Sequence, residues 1–99
     1  MATQSIFQEK TKSRVKEPGQ YNVIMWNDDF TPMDFVVELL ETVFHKDPAG
    51  AEALMLTVHR SGRAIIAKYP YDLAATKVAA AINWARAEGY PFRVTMEEE

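Results

Sequence analysis

The most restrictive feature of the sequence is a short segment in which a strand pattern changes into a helix start. Residues 21–26 (YNVIMW) are β-forming and predict a strand, and a polar loop at residues 27–30 (NDDF) follows it. Thr31 then predicts an N-cap, Pro32 suits the first helical turn because it has no amide hydrogen to lose, and Asp34 takes the acidic place of a capping box. The chain is therefore expected to pass from a strand into a helix across an acidic loop.

The rest of the pattern predicts two more helices and two more strands, because apolar spacings of three and four alternate with spacings of two. The predicted segments are a first helix from Met33, a second from Asp47-Pro48 to Ser61-Gly62, a strand at residues 63–68, a third helix from Pro70-Tyr71-Asp72 to Gly89 and a strand at residues 92–96. The order β-α-α-β-α-β predicts a two-layer α+β fold, with a three-stranded antiparallel sheet packed against three helices. The order of the strands does not follow from these local signals.

Charge and composition divide the 99 residues into a tail and one domain. Residues 1–19 have no sustained apolar period and end in Glu17-Pro18-Gly19, a turn signal, which predicts a flexible tail before a domain at residues 20–99. The tail carries a net charge of +2 and the domain −5. An acidic domain is a poor electrostatic match for nucleic acid, so we expect no nucleic-acid partner.

Composition also excludes several kinds of site. The chain has no cysteine, so it offers neither a disulfide framework nor a cysteine-based metal or redox site. No apolar run approaches the roughly 18 residues of a membrane span, and no signal-peptide pattern is present. We expect a cytoplasmic, monomeric protein without a cofactor, a metal or a membrane partner.

The acidic loop has two interpretations. Asn and Asp favour turns by bonding to nearby backbone amides, and on the residues alone this is the preferred interpretation of Asn27, Asp28 and Asp29. The alternative is a binding site whose oxygens accept hydrogen bonds from a cationic ligand. Adjacent carboxylates on a loop give no reason for the split pKa values of an acid–base pair, and the spacing is not that of a calcium loop.

The predicted helices carry an apolar set that is either core or the wall of a pocket. Its members are Met33, Val36, Met55, Val58 and Phe92. Apolar residues at helical spacing usually belong to the core, although methionines are adaptable pocket liners. If the first two helices pack side by side, Met55, Val58 and His59 face the same cleft as the acidic loop, because spacings of three and four share one side of a helix.

The same residues resemble a known family. Residues 27–36 (NDDFTPMDFV) are similar to the N-D-D-(Y/F)-T-P-M-x-F-V signature of the ClpS family, the bacterial N-end-rule adaptors. Residues 54–59 (LMLTVH) resemble the family's L-M-x-x-V-H segment, and residues 62–64 (GRA) and 76–79 (TKVA) match its later motifs. The resemblance covers about residues 20–97, in order and with compatible spacing.

The resemblance implies a non-catalytic adaptor that binds the free N-terminal Phe, Tyr, Trp or Leu of N-degron substrates. It also implies delivery of these substrates to the ClpA unfoldase for degradation by ClpAP. By position, the residues that contact the substrate's α-amino end and first peptide group are Asn27, Asp28, Asp29, Thr31 and His59. Those lining the hydrophobic pocket are Met33, Val36, Leu39, Met55, Val58 and Phe92. Those docking the N-terminal domain of ClpA are Asp72, Thr76 and Lys77.

One residue departs from the family pattern, and two alternatives to an adaptor stay open. Phe92 stands where leucine is common in the family, which implies a shallower or reshaped pocket. A structural interaction module, similar to the C-terminal domain of the ribosomal stalk protein, would have the same size without a pocket. A hydrolase would need a triad drawn from Ser61, His59 and Asp29, but Ser61 has no nucleophile-elbow context.

Overall fold

The structure, a computed structural model, describes residues 19–99. The predicted tail lies outside this part of the chain apart from Gly19, and its boundary stays a prediction. The elements are β1 (Gln20–Trp26), α1 (Met33–Thr42), α2 (Pro48–Ser61), β2 (Arg63–Pro70), α3 (Tyr71–Ala87) and β3 (Arg93–Glu98). The predicted order β-α-α-β-α-β is confirmed.

The three strands form an antiparallel sheet in the order β2-β1-β3, so the first strand is central. Trp26, the last residue of β1, lies opposite Arg63 of β2 and Arg93 of β3. The pairing with β2 shifts between Val23 and Ile24, where β2 contributes an extra residue. β2 is also two residues longer than the sequence predicts, since it continues to Pro70 before α3 begins.

The core lies between the sheet and the helices. Val23 and Met25 of β1 are fully buried in it, as are Leu39 and Leu40 of α1. On α3 the most deeply buried positions are all alanines, namely Ala74, Ala81 and Ala85. Because an alanine side chain is a single methyl group, α3 can approach the sheet closely. The larger core residues lie beside α1 and α2.

The two predicted cap-and-proline signals have different outcomes. At α2 the prediction is confirmed: Asp47 is the N-cap, its Oδ1 accepts a 3.0 Å hydrogen bond from the Gly50 amide, and Pro48 begins the helix. At α1 it is wrong. Pro32 is the N-cap, because its carbonyl accepts the first helical hydrogen bond, from the Val36 amide. Neither Thr31 nor Asp34 caps the helix: the Thr31 hydroxyl donates to Asp28, and Asp34 accepts from the adjacent Phe35 amide.

Left-handed residues end the helices. Gly62 (φ +91°) closes α2, and its amide donates to the Val58 carbonyl. Gly89 (φ +86°) follows α3, as the sequence predicts. His45 (φ +58°) has the same backbone conformation after α1, where no glycine marks the position. None of the helices described for residues 19–99 is both long enough and apolar enough to span a lipid bilayer.

Candidate functional site

A cavity of about 290 Å³ lies where the end of β1 and the following loop meet α1 and α2. The wall of the cavity combines the polar loop with apolar side chains from both helices and from the residue before β3. Trp26, Phe30 and Pro32 also line it, although the sequence did not single them out. Phe30 and Pro32 belong to the segment 27–36 that resembles the family signature and Trp26 directly precedes it, which is the sequence signal that could have included them.

Asp28 organises the loop from within. Its Oδ1 accepts hydrogen bonds of 2.8 Å from the backbone amides of Phe30 and Thr31. The Thr31 hydroxyl lies 2.9 Å from Oδ2 and donates to this carboxylate. The turn interpretation is therefore correct for Asp28. Because the Thr31 hydroxyl uses its hydrogen on Asp28, its oxygen keeps lone pairs with which to accept from another donor.

Asp29, Asn27 and His59 form the remaining polar part of the wall. Within residues 19–99, their side chains make no hydrogen bond or ion pair, and all three residues are exposed. The backbone of Asn27 is held by a 2.9 Å hydrogen bond from its amide to the Gly62 carbonyl, which ties the loop to the end of α2. The helix that carries His59 and the loop that carries Asp29 are thus fixed to each other. The result is a set of unsatisfied acceptors, one of them a carboxylate, beside an apolar surface.

The apolar wall consists of Met33, Val36, Met55, Val58 and Phe92. Phe92 is only 2% exposed, and Val36, Met55 and Val58 are buried, whereas Met33 is 45% exposed at the edge of the cavity. The four buried residues are therefore part of the hydrophobic core and of the cavity wall at once, so the choice between core and pocket does not separate them. Leu39, predicted as a pocket residue, is fully buried in the core and is not part of the lining.

Arg86 holds Phe92 in place, a role that the sequence did not reveal. Its Nη1 donates hydrogen bonds of 2.8 Å to the carbonyl oxygens of Tyr90 and Phe92. Tyr90 also packs edge-to-face on Phe35, with ring centroids 4.8 Å apart. The segment between α3 and β3 is therefore clamped on both sides of Pro91, and Phe92 enters the cavity from a fixed backbone.

The residues predicted to contact a partner lie on α3. Asp72 and Thr76 are exposed one turn apart, while Lys77 is half-buried. The Lys77 ammonium donates a 2.6 Å hydrogen bond to the Val43 carbonyl at the end of α1. Its Nζ also lies 5.9 Å from the ring of Tyr69, and burial raises the pKa of that tyrosine. Lys77 thus joins α1 to α3, and Asp72 and Thr76 are the two side chains of this set that are free to meet another protein.

The residues proposed for a hydrolase do not come together. His59 and Asp29 line the cavity, but Ser61 lies at the end of α2 and is not part of the lining. Within residues 19–99 there is no group of three or more acidic or histidine side chains that could hold a metal ion. The chemistry that the cavity does offer is recognition. Fold and site together define a small α+β module whose cavity combines hydrogen-bond acceptors with an apolar wall.

Comparisons with known proteins identify the family. The model of the ATP-dependent Clp protease adaptor protein ClpS matches residues 16–95. The ClpS adaptor of Acetivibrio thermocellus is 43% identical over the whole of both chains, and that of Syntrophus aciditrophicus is 47% identical over 88% of this chain and 81% of its own. The chain therefore belongs to the ClpS family of Clp protease adaptors, which are adaptor proteins and not enzymes.

A solved structure has the same fold. Agrobacterium tumefaciens ClpS2 bound to L-phenylalaninamide is 35% identical, with a TM-score of 0.81, over 84% of this chain and 100% of that chain. The predicted α+β architecture, with three antiparallel strands and three helices, is confirmed by this likeness.

Proposed function

We propose that this adaptor binds proteins by a free α-amino group and a bulky hydrophobic first residue (Phe, Tyr, Trp or Leu). It then delivers them to the ClpA unfoldase for degradation by ClpAP. The observation that carries the proposal is the cavity, in which the free acceptors Asn27, Asp29 and His59 adjoin a buried apolar wall. Its volume of about 290 Å³ suits one side chain, being at the lower limit of ligand pockets.

The α-ammonium group of a protein offers three donors and one positive charge. The Asn27 amide oxygen, the Asp29 carboxylate and a neutral His59 imidazole offer acceptors for these donors. The Thr31 hydroxyl, already donating to Asp28, accepts from the first peptide amide of the substrate. Each hydrogen bond to a charged group contributes about 1.5–3 kcal/mol. Internal segments of a protein have no free α-amine next to the recognised side chain and therefore lose these contacts.

The first side chain enters the apolar part of the cavity. Burying a large apolar side chain contributes about 1.5–3 kcal/mol, which with the amine contacts supports micromolar binding after the cost of association. The ligand of the structurally similar ClpS2, phenylalaninamide, combines an aromatic side chain with an α-amine, which supports the same ligand chemistry here. Phe92 reaches further than leucine would at this place, so we expect a first-residue preference of this chain's own.

Partner contacts follow from the same family assignment. We place the N-terminal domain of ClpA on the exposed face of α3, with Asp72 and Thr76 as direct contacts and Lys77 supporting their helix. The adaptor acts as a cytoplasmic monomer, in which residues 20–99 bind the substrate and residues 1–19 assist delivery.

Peptide titration tests the binding half of the proposal. A Phe-first peptide should bind, and its N-acetylated form should bind about 100-fold more weakly, because acetylation removes the charge and two donors. Asp29→Ala should weaken binding by about 10- to 100-fold, whereas Asp72→Ala, a change of the same charge on α3, should leave it intact. Asp72→Ala should instead reduce degradation of a Phe-first substrate by ClpAP. Equal affinity for the free and acetylated peptides would disprove the proposed function.

A further inference from the structure

The loop at the cavity mouth displays an aromatic ring to solvent. Phe30 is 79% exposed, the most exposed large apolar side chain of residues 19–99. Its position is fixed, because its amide donates a 2.8 Å hydrogen bond to Asp28 and its neighbour Thr31 is bonded to the same carboxylate. Neither the core nor the helix start requires an apolar residue at this point of the loop. A single exposed apolar side chain is ordinary on a protein surface, so the significance of Phe30 depends on what adjoins it.

A second concavity adjoins the first through this ring. It is open, has a volume of about 530 Å³, and is lined by Phe30, Arg86, Gly89, Tyr90 and Pro91. Its far side is the clamped segment after α3, in which Arg86 bonds to the carbonyl oxygens of Tyr90 and Phe92. Two aromatic rings and a proline therefore surround a space whose shape is held by hydrogen bonds. One positive charge, that of Arg86, lies at its edge.

The path of a bound peptide leads to this space. This inference rests on the proposed function, in which the first side chain fills the cavity and the α-amine meets Asp29. Thr31 then accepts from the first peptide amide, so the second residue begins beside Phe30, which lies between Asp29 and Thr31 in the loop. Consecutive Cα atoms are about 3.8 Å apart, and in an extended chain their side chains point to opposite sides. The second side chain therefore leaves the cavity on the side of the exposed ring.

A competing exit lies on the other side of the cavity. A groove of about 420 Å³ between α1 and α2 shares Met33 and Met55 with the cavity, and its rim carries Asp34, Glu41 and Glu52. This groove would favour a basic second residue. It adjoins the cavity at the methionines of the apolar wall, however, whereas the second residue emerges at the amine end beside Thr31.

We propose that Phe30, Tyr90 and Pro91 form a subsite for the second residue of the substrate, and that it prefers an aromatic or large apolar side chain. Phe30 stacks on that side chain and shields it from water. Arg86 makes the subsite unfavourable for a lysine or arginine at the same place, because like charges repel. The adaptor thus recognises two residues of an N-degron: the first side chain is buried in the cavity, and the second is partly buried in the subsite.

Three peptides that share a first Phe and differ only in the second residue (Phe, Gly or Lys) test the subsite. Their affinities are measured by fluorescence anisotropy for the unmodified protein, for Phe30→Ala and for Ile65→Ala. Ile65 is the matched control, because it is a large apolar residue that is 52% exposed on β2. The unmodified protein and Ile65→Ala should bind the Phe-Phe peptide about fivefold more tightly than the Phe-Gly peptide. In Phe30→Ala this ratio should fall to about twofold or less.

Each outcome has a distinct meaning. If the Phe-Gly and Phe-Phe peptides bind equally well, or if Phe30→Ala keeps the full ratio, the subsite is refuted while the proposed function stands. If the Phe-Lys peptide binds most tightly, the peptide leaves over the acidic groove and the subsite is likewise refuted. If no Phe-first peptide binds at all, the failure is that of the proposed function itself. Because Phe30 is exposed, its truncation is not expected to unfold the domain.

Discussion

Replacing Arg86 by methionine should loosen the segment that carries Phe92. The change removes two 2.8 Å hydrogen bonds, one exposed and one partly buried, but keeps a side chain of helix-forming character. A typical intramolecular hydrogen bond contributes about 1 kcal/mol net, and we use this value because one of the two bonds is exposed to water and the other is only partly buried, so the two together should contribute about 2 kcal/mol to the free energy of unfolding. For a domain of this size that corresponds to a fall in Tm of about 8–16 °C.

Thermal unfolding followed by circular dichroism measures this loss, and anisotropy with a Phe-first peptide measures its effect on the cavity. We expect affinity to fall by up to about tenfold at a temperature where the variant is folded, because Phe92 no longer has a fixed backbone. Arg60→Met is the control, since Arg60 is exposed on α2 and its guanidinium has no hydrogen bond within residues 19–99. It should cost only about 0.5 kcal/mol, the scale of a helix-dipole contact. Equal losses in the two variants would refute the clamp.

Three further predictions concern the loop, the cavity and a helix end. Asp28→Ala should lower affinity for a Phe-first peptide by about tenfold or more by releasing Phe30 and Thr31, and an ordered loop with unchanged affinity would contradict this. Phe92→Leu should enlarge the cavity and improve binding of Trp-first relative to Phe-first peptides, and an unchanged ratio would show that Phe92 does not set this preference. Gly62→Ala should lower the unfolding free energy by about 1 kcal/mol through backbone strain alone, because a Cβ there meets no atom within 4 Å; an unchanged urea midpoint would count against it.

The elements that the sequence predicted well are those whose signals are local. The cap of α2 depends on Asp47 and the amide of Gly50, three residues away, so the pattern contains the whole interaction. The start of α1 has the same pattern but a different outcome, because the helix begins one residue later than the pattern implies, with Pro32 in the N-cap position and Thr31 in the loop, bonded to Asp28. Strand order is set by contacts between distant segments and has no local signal. Arg86 could not be found from the sequence, since its partners are backbone carbonyls that any residue provides.

The acidic loop combines turn formation with a lining position at the cavity, in two neighbouring aspartates. Asp28 and Asp29 have different roles in the loop. Both carboxylate oxygens of Asp28 accept hydrogen bonds from Phe30 or Thr31, which orders the loop, while the Asp29 side chain makes no such bond within residues 19–99 and lines the cavity. An ordered loop holds the free carboxylate beside the apolar wall without the entropy cost of fixing it on binding. The hydrogen bonds of the first aspartate therefore prepare the second one for the role proposed for it, that of accepting the α-amine of a substrate.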